Sequence, residues 1–288
     1  MTLTVQGTVP SKLHPRLRRT MGTLMGEWNR IGSQTRFYAA TLGAIPDAVI
    51  NYRPELLRLI GQMGLGTGAL AVIGGTVVIV AFLTMTTGAL VAVQGYTQFS
   101  SIGIETLLGF ASAYFNVRLI VPGTTAVALS ATIGAGATAQ IGAMRINEEV
   151  DALEVLGIRS VSYLASTRVV AGVITVIPIF CLALMAAFLS SRVLTTVAYG
   201  QGAGVYDHYF NTFLSPRDIF WSFSQAVAVV VAIMLMHTYY GYSAHGGPAG
   251  VGEAVGRAVR ASVSVTAMVN VMMTLAIYGQ SGHFHLAN

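Results

Sequence analysis

The sequence predicts an all-α polytopic membrane protein, and three observations carry that prediction. Of 288 residues, 54% are hydrophobic and 9% charged, whereas soluble globular domains carry roughly 25% charged residues. The mean hydropathy is +0.66. Several uninterrupted apolar runs reach the roughly 20 residues that a helix needs to cross a hydrocarbon core. A membrane β-barrel would instead repeat segments of about 10 residues with alternating polarity, and the sequence shows no such repeat. The architecture expected is an N-terminal interfacial amphipathic helix, five transmembrane helices, and a short cytoplasmic helix between spans 2 and 3.

Residues 1–20 are polar and basic, and no apolar core of a cleavable signal peptide is expected there. Over 21–60, Met21, Leu24, Met25, Trp28 and Ile31 recur at helical spacing opposite Glu27, Arg30 and Gln34. Two readings are open: an amphipathic helix at the membrane surface, or a helix packed on the bundle. Pro46 and Pro54 break the region. Span 1 is expected at 66–93, closed by Gln94-Gly95-Tyr96, and residues 97–105 are polar. Span 2 follows at 122–143, span 3 at 169–191, a polar loop at 192–217, span 4 at 219–242, a glycine-rich loop at 243–256, and span 5 at 259–279.

Charge settles the status of 106–121, which is apolar but short. The basic residues are one lysine and fifteen arginines, and eight of the sixteen (Lys12, Arg16, Arg18, Arg19, Arg30, Arg36, Arg53, Arg58) lie in the first sixty positions. This basic head suits anionic lipid at the cytoplasmic face rather than nucleic acid. With five spans and the N-terminus inside, Arg145, Arg159, Arg168, Arg257 and Arg260 also fall inside, leaving Arg118, Arg192 and Arg217 outside. A sixth span would reverse the arginines around residue 150. Residues 106–121 are therefore expected as a short, non-spanning helix near the outer face, leading through Pro122 into span 2, with the C-terminus outside.

Four of the eleven acidic residues sit within seven positions: Glu148, Glu149, Asp151 and Glu154. Asn147 suits an N-cap, Glu148 and Glu149 favour the positive end of the helix dipole, and Gly157 suits a C-terminal stop. Val150, Leu153 and Leu156 form an apolar stripe. A short acidic helix of this kind between two apolar stretches is built for a water-soluble partner with a basic groove, or it is a solvated linker.

The segment Gly142-Ala-Met-Arg-Ile-Asn-Glu-Glu-Val-Asp-Ala-Leu-Glu-Val-Leu-Gly-Ile158, followed by Arg168-Val-Val-Ala-Gly172, resembles the signature of the MlaE/YrbE permease family. So do Gly241-Tyr-Ser-Ala-His-Gly-Gly-Pro-Ala-Gly-Val-Gly-Glu-Ala-Val-Gly-Arg-Ala-Val259 and Gln94-Gly95-Tyr96. The style is closest to actinobacterial YrbE subunits that accompany MCE proteins. The resemblance implies an MlaE-like permease domain at 61–280, between a basic cytoplasmic N-terminus with its interfacial helix (1–60) and a polar tail (281–288). It implies the permease of an ATP-driven, MCE-type lipid transporter in the cell inner membrane. A separate cytoplasmic ABC ATPase would use the ATP and Mg, and this chain would hold no cofactor. The partners implied are that ATPase, a second and non-identical YrbE-type subunit, and MCE proteins on the outer side. The acidic helix would be the coupling helix, with Glu148, Glu149, Asp151, Leu153, Glu154, Leu156 and Gly157 as ATPase contacts. Leu90, Val91, Tyr96 and Arg118 would line the substrate path. The chain departs from proteobacterial relatives where Leu119 follows Arg118, and at Thr132 and Gln140, which replace charged residues; a fatty acid or sterol is then as admissible as a phospholipid.

The remaining motifs are weaker. Ala131, Ala135, Ala139 and Ala143 form one small-residue stripe, and Gly134, Thr138 and Gly142 another; such stripes serve packing within the subunit or between subunits. Arg118 is open to contact with a lipid headgroup or to snorkelling. His237, beside Tyr239 and Tyr240, is expected in the interfacial aromatic belt. Glycine-rich segments lack a Walker lysine, the single Cys181 allows no internal disulfide, and His283 and His285 are too isolated for a metal site. No catalytic residue is expected. A membrane anchor that only recruits the ATPase and MCE proteins, and an intramembrane lipid-modifying enzyme, are the alternatives.

Overall fold

The computed structural model describes residues 31–66 and 75–279, and among these all regular structure is helical. Ten helices follow in order: α1 (residues 31–43), α2 (Ile45–Asn51), α3 (Arg53–Leu65), α4 (Gly75–Ser100), α5 (Glu105–Ile146), α6 (Glu149–Val155), α7 (Val161–Ala198), α8 (Ala203–Phe213), α9 (Pro216–Tyr242) and α10 (Gly247–Tyr278). Five of them, α4, α5, α7, α9 and α10, are long and apolar enough to cross a membrane. The bundle has two ends, an α6 end and an α8 end.

α7 is the central helix, packing on α4, α9 and α3. Its face of Val176, Ile179, Phe180 and Ala183 meets Leu129, Val229, Val230 and Ile233 in one buried cluster. Hydrocarbon tails are as apolar as these side chains, so close approach and interhelical hydrogen bonds must supply the specificity. Gly88 of α4 lies so close to Ala187 and Ser190 of α7 that a Cβ would collide with both. Beside it, Ser191 Oγ donates to the Gly88 carbonyl at 2.6 Å, and Asn116 Nδ2 donates to Ser191 and Ser112 at 3.1 Å. These bonds tie α4, α5 and α7 together inside the bundle.

Several expected boundaries move. The start expected for span 1 falls beside residues 67–74, which lie outside the described residues; from Gly75 onward α4 runs through Gln94-Gly95-Tyr96 to Ser100. Residues 106–121 are not a separate element: they continue without a break into span 2. Pro122 lacks an N–H and would open an α-helical turn, but the wider π-type turn Asn116–Ile120 absorbs the missing bond. At 42 residues and about 1.5 Å per residue, α5 is about twice as long as a hydrocarbon core is thick. Its first part projects at the α8 end.

The expected polar loop 192–217 is also mostly helical. α7 extends to Ala198, and α8 lies across residues 108–115 of α5. Tyr206 is buried there, and Gly109 admits the α8 backbone where a Cβ would strike the Tyr206 carbonyl. The expected glycine-rich loop 243–256 shrinks to a turn, with Gly246 and Gly247 at positive φ starting α10.

Of the predicted amphipathic stretch, 21–30 lies outside the described residues. Residues 31–43 pack on the bundle: Phe37 and Tyr38 meet Tyr239, and Ser166 Oγ donates to the Thr41 carbonyl at 2.7 Å. Pro46 and Pro54 sit in the first turns of α2 and α3, where no N–H is needed. Asp47 of α2 accepts from Ser162 Oγ at 2.7 Å and Asn51 Nδ2 at 2.6 Å, and these bonds hold its carboxyl below the usual carboxylate range.

Candidate functional site

The acidic helix α6 hangs between α5 and α7. Asn147 does not cap it; Asn147 ends α5, and Glu148 occupies the cap position in the left-handed region, with φ +60°. That conformation costs a non-glycine residue about 1–2 kcal/mol, and it turns the chain sharply out of α5. At the far end Gly157, at φ +78°, closes the helix. The Ile158 N–H bonds to the Leu153 carbonyl and the Gly157 N–H to the Glu154 carbonyl, both at 3.0 Å, which is the Schellman arrangement.

The acidic residues divide into two groups. Asp151 is paired with Arg145 at 2.6 Å. Glu154 Oε1 accepts from Ser160 Oγ at 2.6 Å and from the Tyr242 hydroxyl at 3.3 Å, while Arg145 lies 5.7 Å from the Tyr242 ring. These two acids anchor α6 to the ends of α5 and α9. Glu148 and Glu149 are exposed. The expected apolar stripe is also split: Val150 is buried against the bundle and Leu153 half-buried, whereas Leu156 is 74% exposed. Val155 is 88% exposed; sequence spacing alone did not single it out, because it lies off the 150–153–156 stripe. Asp151 and Glu154 are exposed as well but tied to the bundle, so the larger exposed side chains not tied to the bundle are Glu148 and Glu149 at one end and Val155 and Leu156 at the other.

Towards the α8 end, α4 and α5 enclose a groove of about 430 Å³ lined by Thr87, Leu90, Val91 and Gln94 on one side and Leu119, Ile120, Gly123 and Thr124 on the other. Of the four residues expected together, Leu90 and Val91 line it. Tyr96 does not; its ring stacks on Tyr199 at 4.0 Å. Arg118 is neither bare nor snorkelling. It reaches Asp218 at 2.7 Å and lies over the rings of Tyr114 and Tyr278, at 4.1 and 4.5 Å. Asp218 stands in the first turn of α9, at the dipole end that favours a carboxylate.

Comparison with known proteins agrees with this architecture. The model of the family described as Permease MlaE matches residues 66–276. The chain belongs to the MlaE permease family. A "Probable ABC transporter permease protein" of Rickettsia bellii (strain RML369-C) is 31% identical over 205 residues, covering 68% of this chain and 76% of the relative. Its namesake in Rickettsia felis (strain ATCC VR-1525 / URRWXCal2) is 28% identical over 256 residues, covering 85% and 95%. The "Intermembrane phospholipid transport system permease protein MlaE" of Haemophilus influenzae (strain ATCC 51907 / DSM 11121 / KW20 / Rd) is 26% identical over 194 residues, covering 67% and 74%.

Within this MlaE-family permease, two further residues depart from their expected places. His237 is not in an aromatic belt. It is fully buried, with Nδ1 2.7 Å from Thr138 Oγ1 and Nε2 3.0 Å from Ser262 Oγ, and it joins α5, α9 and α10. Its helical spacing from Val230, Ile233 and Met234, all buried, is the signal that marks its face. Gly134 leaves room for the imidazole; a Cβ there would lie 2.6 Å from the ring. The stripe Gly134, Thr138 and Gly142 therefore packs within the subunit, and the stripe Ala131, Ala135, Ala139 and Ala143 faces outward or is half-buried. Arg168, expected at a loop flank, lies inside α7 and is 2% exposed.

Proposed function

We propose that this protein is the transmembrane permease subunit of an ATP-driven, MCE-type lipid transporter of the inner membrane, working on a fatty acid, sterol or phospholipid. A cytoplasmic ABC ATPase grips α6 and uses the ATP and Mg. A second, non-identical permease subunit completes the membrane unit, and MCE proteins receive or deliver lipid on the outer side. The family and the relatives' names, one an intermembrane phospholipid system, support a permease of lipid transport.

The observation that carries the coupling role is the exposed surface of α6. An 88% exposed valine beside a 74% exposed leucine, with two exposed glutamates at the other end of the same short helix, is a poor surface for a linker. It is a good one for a groove with an apolar floor and basic walls. Placing the α6 end in the cytoplasm also puts Arg145, Arg159, Arg257 and Arg260 inside, as the positive-inside bias requires, with the N-terminus inside and the C-terminus outside. The lipid path then runs by the α4–α5 groove, along Leu90 and Val91.

Because Asp151 and Glu154 hold α6 in place, the decisive variant leaves them alone. Glu149→Lys combined with Leu156→Asp changes only exposed side chains, so folding should shift by no more than about 0.5 kcal/mol. We expect the ATPase to be lost on co-purification and lipid transport in cells to stop. Transport that continues with the ATPase detached would refute the coupling role. Recruitment of ATPase and MCE proteins by a wild-type complex that moves no lipid would leave only a membrane anchor.

A further inference from the structure

Arg168 has an incomplete set of partners for a group buried so deeply. Its Nη1 donates to the Leu164 carbonyl one turn back at 2.9 Å, and its Nη2 to Gln140 Oε1 at 3.3 Å. Its Nε has no acceptor. Among the described residues, no carboxylate stands within 4 Å of it. Glu55, on neighbouring α3, already receives two bonds from Arg58, at 2.7 and 2.5 Å. A guanidinium does not lose its proton in a protein, so a full positive charge remains with only neutral oxygens in direct contact, and Glu55, shared with Arg58, acts on it only from beyond hydrogen-bond distance. A lone buried charge is among the most destabilising arrangements a fold can hold, and an arginine in that state inside a spanning helix points to a ligand.

The group that stands next to that charge is on a cavity wall. Gln140, the one acceptor that Arg168 has outside its own helix among the described residues, lines a cavity of about 510 Å³ between α3, α4 and α5. This size falls in the range of about 300–1,000 Å³ usual for small-molecule sites. The lining mixes Gln62, Thr132 and Gln140 with Leu59, Met63 and Ile79, an amphiphile's pattern of polar and apolar contacts. Ala139 and Gln140 are exposed, so the cavity opens at the bundle surface.

We infer that this cavity, at the α6 end and apart from the α4–α5 groove, is a second lipid site selective for an anionic headgroup. The carboxylate or phosphate oxygens accept from the Gln140 amide nitrogen, whose oxygen is held from behind by Arg168, so that the buried positive charge favours an anion without touching it, and the acyl chain lies along Leu59, Met63 and Ile79. The inference rests on the lipid-permease reading and deepens it: acidic lipids load at the α6 end before reaching the groove.

The test uses the purified native transporter complex in nanodiscs of phosphatidylcholine. Each sample is doped with one diazirine-tailed probe of equal chain length: a fatty acid, a phosphatidylglycerol or a neutral fatty alcohol. Cross-links are mapped by mass spectrometry. We expect the two acidic probes to label residues 59–63 and 131–140 on the order of tenfold more than the alcohol, a charge-assisted preference. Which acid labels more strongly distinguishes a carboxylate from a phosphate headgroup. Gln140→Glu gives Arg168 an internal carboxylate, so it should bring acidic labelling down to the alcohol level while the melting temperature stays at or above that of the wild type. Equal labelling by all three probes overturns the inference, as does full acidic labelling in Gln140→Glu. If the α4–α5 groove is labelled and lipid is transported without acid preference at the cavity, this site falls and the permease reading stands. If no probe labels either place, both fall.

Discussion

At the α8 end, Arg118 meets Asp218 at 2.7 Å and is flanked by the rings of Tyr114 and Tyr278. At the α6 end, Arg168 is more deeply buried and meets only a carbonyl and an amide oxygen. The first charge is closed by the chain itself: the acid comes from α9, a hundred residues away, and the rings cover what the carboxylate leaves. The second is left open next to a cavity. An arginine whose counter-charge is built in acts as a fixed clamp between helices, whereas one without a counter-charge is available to something that arrives. The same side chain thus does structural duty at one end and is poised for recognition at the other.

The most direct way to break the contrast is to open the clamp. Asp218→Ala leaves Arg118 largely buried without its acid and should lower stability by about 2 kcal/mol, read as thermal unfolding in nanodiscs. Adding Arg118→Met should restore part of the loss, because the stranded charge is then gone. Converting the open end into a copy of the closed one is the reverse experiment: Gln140→Glu should raise stability by about 1 kcal/mol, and a decrease would show that Arg168 is already neutralised. At α6 itself, Gly157→Ala forces a side chain into the left-handed region at a cost of about 1 kcal/mol, and ATPase co-purification should weaken with it as the helix end shifts.

The smallest effect is a pH dependence at the α6 end. Asp47 is held below its usual range by Ser162 and Asn51. Its folded-state value is depressed, so its contribution is present above the unfolded carboxylate value and is lost as pH falls through the lower, folded one. The stability difference between wild type and Asp47→Asn should therefore be full near pH 6 and fade below about pH 4. A difference that is flat over this interval would remove Asp47 from the contacts that hold α2 to α7.

The sequence made the five spans and the acidic helix legible, because both are statements about composition along a line: runs of about 20 apolar residues, and four acids in seven positions. It did not reveal α8. Tyr206, Phe210 and Phe213 mark one helical face, but that face lies within a segment whose polarity reads as a loop. Nor did it show that Asp218 answers Arg118, or that Glu154 answers Ser160 and Tyr242, since those pairings depend on how helices lie side by side and leave no spacing rule in the chain. His237 was misplaced for a related reason: the tyrosines that follow it are half-buried at the rim, Tyr239 on the opposite side of the helix, whereas His237 points inward against Gly134. The candidate site was thus readable as a segment, while the division of its acids into anchors and exposed contacts required the fold.

The bond from Glu154 to Tyr242 has a mechanical consequence. Tyr242 is the last residue of α9, and Asp218 stands in its first turn. At 27 residues and about 1.5 Å each, α9 is a rod of about 40 Å, fastened at one end to α6 and at the other to Arg118. A tug on α6 along this axis would reach the Arg118 clasp without passing through a loop, and His237, bonded to Thr138 of α5 and Ser262 of α10, fastens the rod to its neighbours between those two ends.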